Sequence, residues 1–333
     1  MLNRFDELTH WLRQDVGLPV FEIAPASSDA SFRRYFRVQH AGHSHIVMDA
    51  PPDKENCHPF VNVAHAFHLR GLHVPRVLHA NLERGFLLLT DLGDRQYLGE
   101  LNPHNADQLY GDALDTLLKL QHPGTPPDGA LPPYDLPLLM REMALFRDWF
   151  MAQHLGITPS DAVTTLLDNT FNRLAQAALE QPQVWVHRDY HSRNLMVTEQ
   201  NNPGVLDFQD AVIGAVTYDL VSLLRDCYIA WPRQQVEEWV VKYHGQATQA
   251  GILGNVSPAQ FLCWFDLMGV QRHLKAIGIF ARLNIRDGKP GYLKDIPRTF
   301  GYVLEVSHRH QELAEFHQFL QDNIVPRMES FPQ

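Results

Sequence analysis

Residues 184–210 read VWVHRDYHSRNLMVTEQNNPGVLDFQD. The apolar runs at 184–186 and 195–197 predict two short strands, and a third is predicted around 205–208. The loop between the first two carries His187, Asp189 and, five residues after that aspartate, Asn194; Asp207 follows thirteen residues later. An Asp, an Asn and a second Asp on tight loops supply oxygens for a magnesium ion and a carboxylate to hold an acceptor hydroxyl, which are the parts phosphoryl transfer needs. Any one of them alone is ordinary, because Asp favours turns and caps. Their joint occurrence beside apolar strands carries the reading.

HRDYHSRN followed by LDFQD resembles the H-x-D-x-x-x-x-N and D-F-x signature of kinases. It is most similar to the aminoglycoside phosphotransferase (APH)-like kinase family, whose second Asp is followed by Phe and a further acidic residue. VTYDL at 216–220 fits the same family, in which the Asp in this place, here Asp219, buttresses the catalytic loop. The resemblance spans almost the whole chain. It implies an α+β, protein-kinase-like bilobal fold with a small β-rich N-lobe (1–92, nucleotide-binding) and a larger, mainly helical C-lobe (93–333, catalytic and acceptor-binding). It also implies ATP and Mg2+ as cofactors. Asp189 would be the catalytic base, Asn194 and Asp207 the metal ligands, and His187 and Asp219 supports of the loop. SSDASFRRYFRV, VMDAPP and QRHLKAIGIFARL resemble the cell-wall recycling branch of the family. That branch implies phosphorylation of the anomeric C1 hydroxyl of N-acetylmuramate and N-acetylglucosamine, a small-molecule amino sugar substrate.

Composition sets the surroundings. Of 333 residues, 45% are hydrophobic and 20% charged, as in an ordinary soluble globular chain long enough for two lobes. A net charge of −10 argues against nucleic acid as a partner. Cys57, Cys227 and Cys263 are odd in number and far apart, which fits reduced thiols in a cytoplasmic protein rather than a disulfide framework. The start, MLNRFDELTHWL, lacks the apolar core of a signal peptide, and no run approaches the ~18 apolar residues of a membrane span. Nineteen histidines are scattered without zinc spacing. No protein partner is implied.

In chain order, Phe5, Leu8 and Leu12 predict a first amphipathic helix. Strands are predicted at 21–23, 36–38 and 45–48, the first two flanking a small polar loop at 25–31. The resemblance makes this hairpin the flap over the nucleotide phosphates, with Ser27, Ser28, Ala30 and Ser31 in place of glycines. It puts Ser28, Ser31, Phe32, Arg33 and Arg34 against ATP, together with the hinge residues Leu89, Asp91 and Leu92 near adenine. The end of the third strand should hold a lysine for the phosphates, but the sequence has Met48 and Asp49, and Lys54 lies beyond two prolines. An arginine of the flap is the candidate substitute. A helix is expected at 59–72, strands at 74–78 and 85–90, and a helix at 106–120 capped by Asn105. A Pro-rich loop at 122–137 precedes helices at 138–154, 161–179, 218–228, 232–244, 258–283 and 305–322.

For the acceptor, Glu142, Arg193, Arg272 and Lys275 are the candidates, Arg or Lys being suited to a lactyl carboxylate. Arg147, Trp149 and Gln271 lie on the same helices, and Trp or Phe suits a pyranose face. Two other readings stand beside the amino sugar. One is a kinase of another small hydroxyl compound (an aminoglycoside, choline or homoserine). The other is a catalytically silent nucleotide-binding module, to which the absent lysine points.

Overall fold

Asn3 starts the first helix by accepting the Asp6 N–H on its side chain, and α1 then runs Arg4–Gln14. Leu8, Trp11 and Leu12 recur on one face and are buried against Val38, Val47, Phe86 and Leu88. The structure, a computed structural model, describes residues 3–28, 32–123 and 131–329. It divides into two units. The first draws on the described residues up to Ala113 and on Asn194–Asp210, the second on those of Leu114–Thr125, Ala130–Arg193 and Ala211–Gln333.

The first unit is built on an antiparallel sheet of β1 (Glu22–Ser28), β2 (Arg34–His40), β3 (His43–Asp49), α2 (Cys57–Leu69) following, then β4 (Val77–Asn81) and β5 (Phe86–Thr90), in the order β1-β2-β3-β5-β4. The predicted loop at 25–31 is corrected at its start, because β1 continues to Ser28. Pro25 has no N–H to give, but β1 is an edge strand, and the pairing shifts between Pro25 and Ser27 to absorb it. Residues 29–31 of that loop, Ser31 among them, lie outside the described residues. Asn56 caps α2 by accepting the His58 N–H, two residues earlier than the periodicity suggested, and Gly71 turns the chain at φ 78°.

Asn105 directly precedes its helix, and its C=O accepts the Leu109 N–H at 3.0 Å. Its side-chain oxygen accepts the Asn102 N–H and its amide donates to Glu100 O, closing the turn before Ala106–Gln121. In the returning segment, Leu195–Met196 pairs with Gly204–Val205. The strand predicted at 205–208 stops at Val205, since Asp207 takes φ 62°, which no strand accommodates.

The second unit is mainly helical, with one short pair, Gln183–Val186 against Val212–Ala215. Its axis is the long helix Pro258–Asp287, capped by Ser257 and closed by Gly288 at φ 64°. At Gly278 a neighbouring helix passes so close that a Cβ would lie 2.3 Å from the Leu145 carbonyl carbon. The expected single helix at 138–154 is α-helical only over Leu136–Leu145 and continues in wider π winding over Phe146–His154. The final expected helix is also corrected. Ile296–Arg309 ends at His310, whose extended backbone and side chain on Asp266 (3.1 Å) break the winding before Ala314–Phe319 begins. The helix expected at 218–228 ends at Leu224. A β-rich unit and a mainly helical one bear out the α+β class.

Candidate active site

Strand Gln183–Val186 delivers the chain into a tight loop of the second unit. His187 is fully buried, and Arg188 takes φ 78°. That turn aims two successive N–H groups at one acceptor. His187 donates to Asp219 Oδ2 (2.6 Å) and Arg188 to Asp219 Oδ1 (3.0 Å). Asp219 stands in the first turn of Tyr218–Leu224 and is itself buried. The His187 ring accepts the Asp189 N–H on Nδ1 at 3.2 Å. Asp219 and the His187 ring therefore hold the backbone that leads into Asp189. Further along, the Ser192 N–H and hydroxyl donate to Asp226 Oδ2 at 3.0 and 2.5 Å.

Burial pushes the Asp189 carboxyl up, yet the positive charges of Lys275, His191, Arg272 and Arg188 outweigh it and hold the group at about 2. Asp219 goes the other way. Burial raises it to about 7 against the His187 and Arg188 N–H groups and Arg272, with the Asp189 charge adding to the rise.

Of the acceptor candidates, Glu142 is a buried hub, accepting Tyr134 Oη and Arg188 Nη2 and facing Lys275 Nζ at 3.3 Å. Lys275 also donates to Tyr218 Oη at 3.0 Å. Arg193 stacks on the Tyr228 ring, 3.9 Å from its centroid, with Tyr292 at 5.8 Å. Arg272 is buried beside Cys227 Sγ at 3.8 Å. These residues and Asp189 all belong to the second unit.

The first unit collects the other oxygens. Asn194 O accepts the Leu206 N–H at 2.9 Å, which ties the end of the loop that follows Asp189 to the residue before Asp207. Phe208 is buried on Phe60 and Phe67, ring centroids 4.9 and 5.8 Å away. Anchored there, the neighbouring Asp207 keeps its carboxylate partly exposed, with Gln209 Nε2 at 2.8 Å and Arg33 Nη2 at 3.6 Å. A non-glycine residue at positive φ costs roughly 1–3 kcal/mol and persists only where its surroundings impose it. A carboxylate and an amide oxygen form a hard donor set that fits magnesium, and the Arg33 cation already sits beside the carboxylate.

At the end of β3, where a lysine was expected, Asp49 is fully buried between Arg34 and Arg4, the latter at 2.6 Å. Lys54 is exposed and lies 3.8 Å from Asp53. Phe32 is largely exposed, its N–H on Glu55 Oε1 at 3.1 Å. Ser28 contributes strand backbone at the edge of the sheet. Leu89 is buried in β5, and Leu92 packs so near Gly204 that a Cβ there would lie 2.9 Å from it. Asp91 has its carboxylate taken by Arg37 (2.6 Å), Ser44 (2.5 Å) and the Gly93 N–H (2.9 Å). Three donors leave it a structural tie at the turn after β5.

Sequence reasoning missed Arg188 as the partner of Glu142, Asp226 as the anchor of Ser192, and the Arg4–Asp49 tie. Arg188 lies inside the HRD triplet, so adjacency offered a signal. Asp226 and Arg4 offered none, because their partners are 34 and 45 residues away.

Comparison with known proteins identifies the family. Residues 22–252 match the model of the phosphotransferase enzyme family, APH. The chain is 50% identical over 322 residues to the N-acetylmuramate/N-acetylglucosamine kinase of Pseudomonas putida, covering 94% of each protein. It is 49% identical to the protein of that name from Pseudomonas aeruginosa, covering 95% of this chain and 96% of that one. Among solved structures it resembles an ethanolamine kinase of Plasmodium vivax, with a TM-score of 0.65 at 9% identity, over 90% of this chain and 87% of that one. The protein-kinase-like fold expectation holds. No helix among the described residues is long and apolar enough to cross a membrane. With the family's model covering well over half its length, the chain belongs to the phosphotransferase enzyme family and is a kinase of an alcohol group.

Proposed function

We propose that the protein transfers the γ-phosphoryl group of ATP to the anomeric C1 hydroxyl of N-acetylmuramate and N-acetylglucosamine. The observation that carries this is the half-buried Asp189 carboxylate kept ionised among Lys275, Arg272 and Arg188. Such a group accepts a hydrogen bond from an acceptor hydroxyl at any physiological pH. Its cationic surroundings suit an anionic sugar and oppose a polycationic aminoglycoside or choline. The names of the two Pseudomonas relatives support the same substrates.

Asp189 orients the sugar O1 toward the γ-phosphorus. As the O1–P bond forms and the bond from phosphorus to the bridging oxygen of ADP breaks, the O1 proton passes to Asp189 and then to water. A carboxyl held this low is a weak base, so the proton moves late. A hemiacetal hydroxyl, more acidic than an ordinary alcohol, lightens that demand. Asn194 and Asp207 would hold Mg2+, which supplies charge neutralisation on the phosphates. Ser28, Ser31, Phe32, Arg33 and Arg34 would cover the phosphates, with Leu89, Asp91 and Leu92 at the adenine. Glu142, Arg193, Arg272 and Lys275 would shape the acceptor side. On this reading residues 1–92 serve the nucleotide and 93–333 the catalytic and acceptor chemistry, in the cytoplasm where ATP is available.

Phosphorus NMR of the product tests the reading. A phosphate on C1 that blocks the reducing end supports it. A phosphate on C6, or efficient turnover of methyl N-acetylglucosaminide, which has no free anomeric hydroxyl, rejects it. ADP release across aminoglycosides, choline and homoserine tests the other acceptors.

A further inference from the structure

The long helix Pro258–Asp287 turns two cations into the buried interior of the second unit, and their situations differ. Lys275 is held by two partners, Tyr218 and Glu142. Arg272, only 5% exposed, makes one hydrogen bond among the described residues, to the weak acceptor Cys227 Sγ at 3.8 Å, and its buried Nε has none. A guanidinium carries five donors in a planar fork. Leaving buried donors without acceptors is costly.

Its neighbours do not supply the missing acceptor. Asp226 accepts the Ser192 N–H and hydroxyl on one oxygen and the Tyr228 N–H on the other. Asp219 accepts the His187 and Arg188 N–H groups. Asp189 and Asp226 act on Arg272 through charge, without a hydrogen bond between them. The fork is therefore held in place, charged and short of an acceptor, close enough to Asp189 to feel its charge. Among the other groups whose charge acts on Asp189, Arg188 and Lys275 are both paired with Glu142.

We propose that the Arg272 guanidinium receives the lactyl carboxylate of N-acetylmuramate and so sets the preference for the acidic over the neutral amino sugar. This rests on the reading that Asp189 marks the acceptor end of the site. A carboxylate matches the fork with two parallel hydrogen bonds. In the sugar, the lactyl ether is on C3, two ring carbons from the hydroxyl that Asp189 orients, so one molecule can address both groups. N-acetylglucosamine carries a hydroxyl there and makes no ion pair.

The test compares kcat/KM for N-acetylmuramate, its lactyl methyl ester and N-acetylglucosamine, in wild type and in Arg272→Gln and Arg272→Lys. A charged hydrogen bond corresponds to a factor of about 10–150. Arg272→Gln should lower the value for N-acetylmuramate by that factor beyond any loss on the other two sugars, and Arg272→Lys should restore part of the difference. Equal losses on all three sugars overturn the assignment and point instead to the transferred phosphoryl group. If Arg272→Gln does not fold, the wild-type protein still decides whether a carboxylate is read. An ester used as well as the acid overturns the proposal, and a drop by the same factor supports it. Wild-type protein that phosphorylates none of the sugars rejects the underlying reading and this inference with it.

Discussion

Arg34 clamps the buried carboxylate of Asp49 directly across the β2–β3 pair, with Nε at 3.0 Å. Arg4 holds the other carboxylate oxygen from α1 at 2.6 Å. Two guanidinium groups on one carboxylate leave a net positive charge at the end of β3, the place where kinases carry a lysine. The polarity of the familiar lysine–glutamate pair is reversed, with the acid on the third strand and the base on its neighbour. About half of the Arg34 side chain remains exposed, which leaves donors for a phosphate. Arg34→Ala should therefore lower kcat/KM for ATP by about 10–150-fold, the worth of a charged hydrogen bond. The acceptor KM should move much less. Steady-state kinetics with each substrate varied in turn checks this, and an unchanged ATP dependence would assign the positive charge to Arg33.

Asp189 and Asp207 should fail in different ways. On the proposed mechanism Asp189→Asn removes the base, and it should lower kcat by about 10²–10⁴-fold without shifting the magnesium dependence. Asp207→Asn keeps a residue type that tolerates positive φ but removes the charge. It should raise the magnesium concentration for half-maximal rate by more than about tenfold. Magnesium titrations of both variants separate the roles, and the same shift in both would dissolve the distinction.

The legible parts of this site were local. HRDYHSRN and LDFQD are each read within a dozen residues, and the apolar strands beside them follow from composition. What escaped was set by partners distant in sequence. Asp207 ends its strand early because Phe208 is buried on Phe60 and Phe67, some 140 residues upstream, and no pattern in 205–208 reveals that. Arg4 closes on Asp49 from a helix that periodicity alone finds, yet periodicity says nothing of its partner. At Asn105 the position before the helix was legible, but not that its side chain closes the preceding turn, because Asn suits a helix cap and a tight turn almost equally.

Gly278 offers a packing test. A methyl group there would press on the Leu145 carbonyl, and Leu145 closes the helix that carries Glu142. Gly278→Ala should destabilise the protein by about 1–3 kcal/mol, the usual range for overpacking, despite the better helix propensity of Ala. It should also raise the acceptor KM, because the Glu142 hub shifts with its helix. Chemical denaturation and sugar kinetics on the same variant check both. A protein as stable as wild type would mean the two helices part without strain.

The last prediction concerns pH. Asp219 is raised to about 7, burial outweighing the His187 and Arg188 N–H groups, while Asp189 stays near 2. The two carboxyls are thus set far apart, and only Asp219 titrates in the physiological range. As pH falls through about 7, its carboxylate gains a proton and loses one of the acceptor positions that hold the backbone on either side of His187. The catalytic loop then loosens although Asp189 remains ionised. So kcat/KM should fall about tenfold per unit of pH on the acid side, with a midpoint near 7. Stability runs the other way. A carboxyl whose folded pKa lies above its unfolded value favours the folded state at low pH, and that contribution is lost as pH rises through about 7. Asp219→Asn, which cannot titrate, should be slower at pH 8 and should lack the acid limb altogether. A limb that persists at the same midpoint in the variant would place the titration on another group, and one near pH 4 in wild type would mean that the two N–H donors outweigh burial.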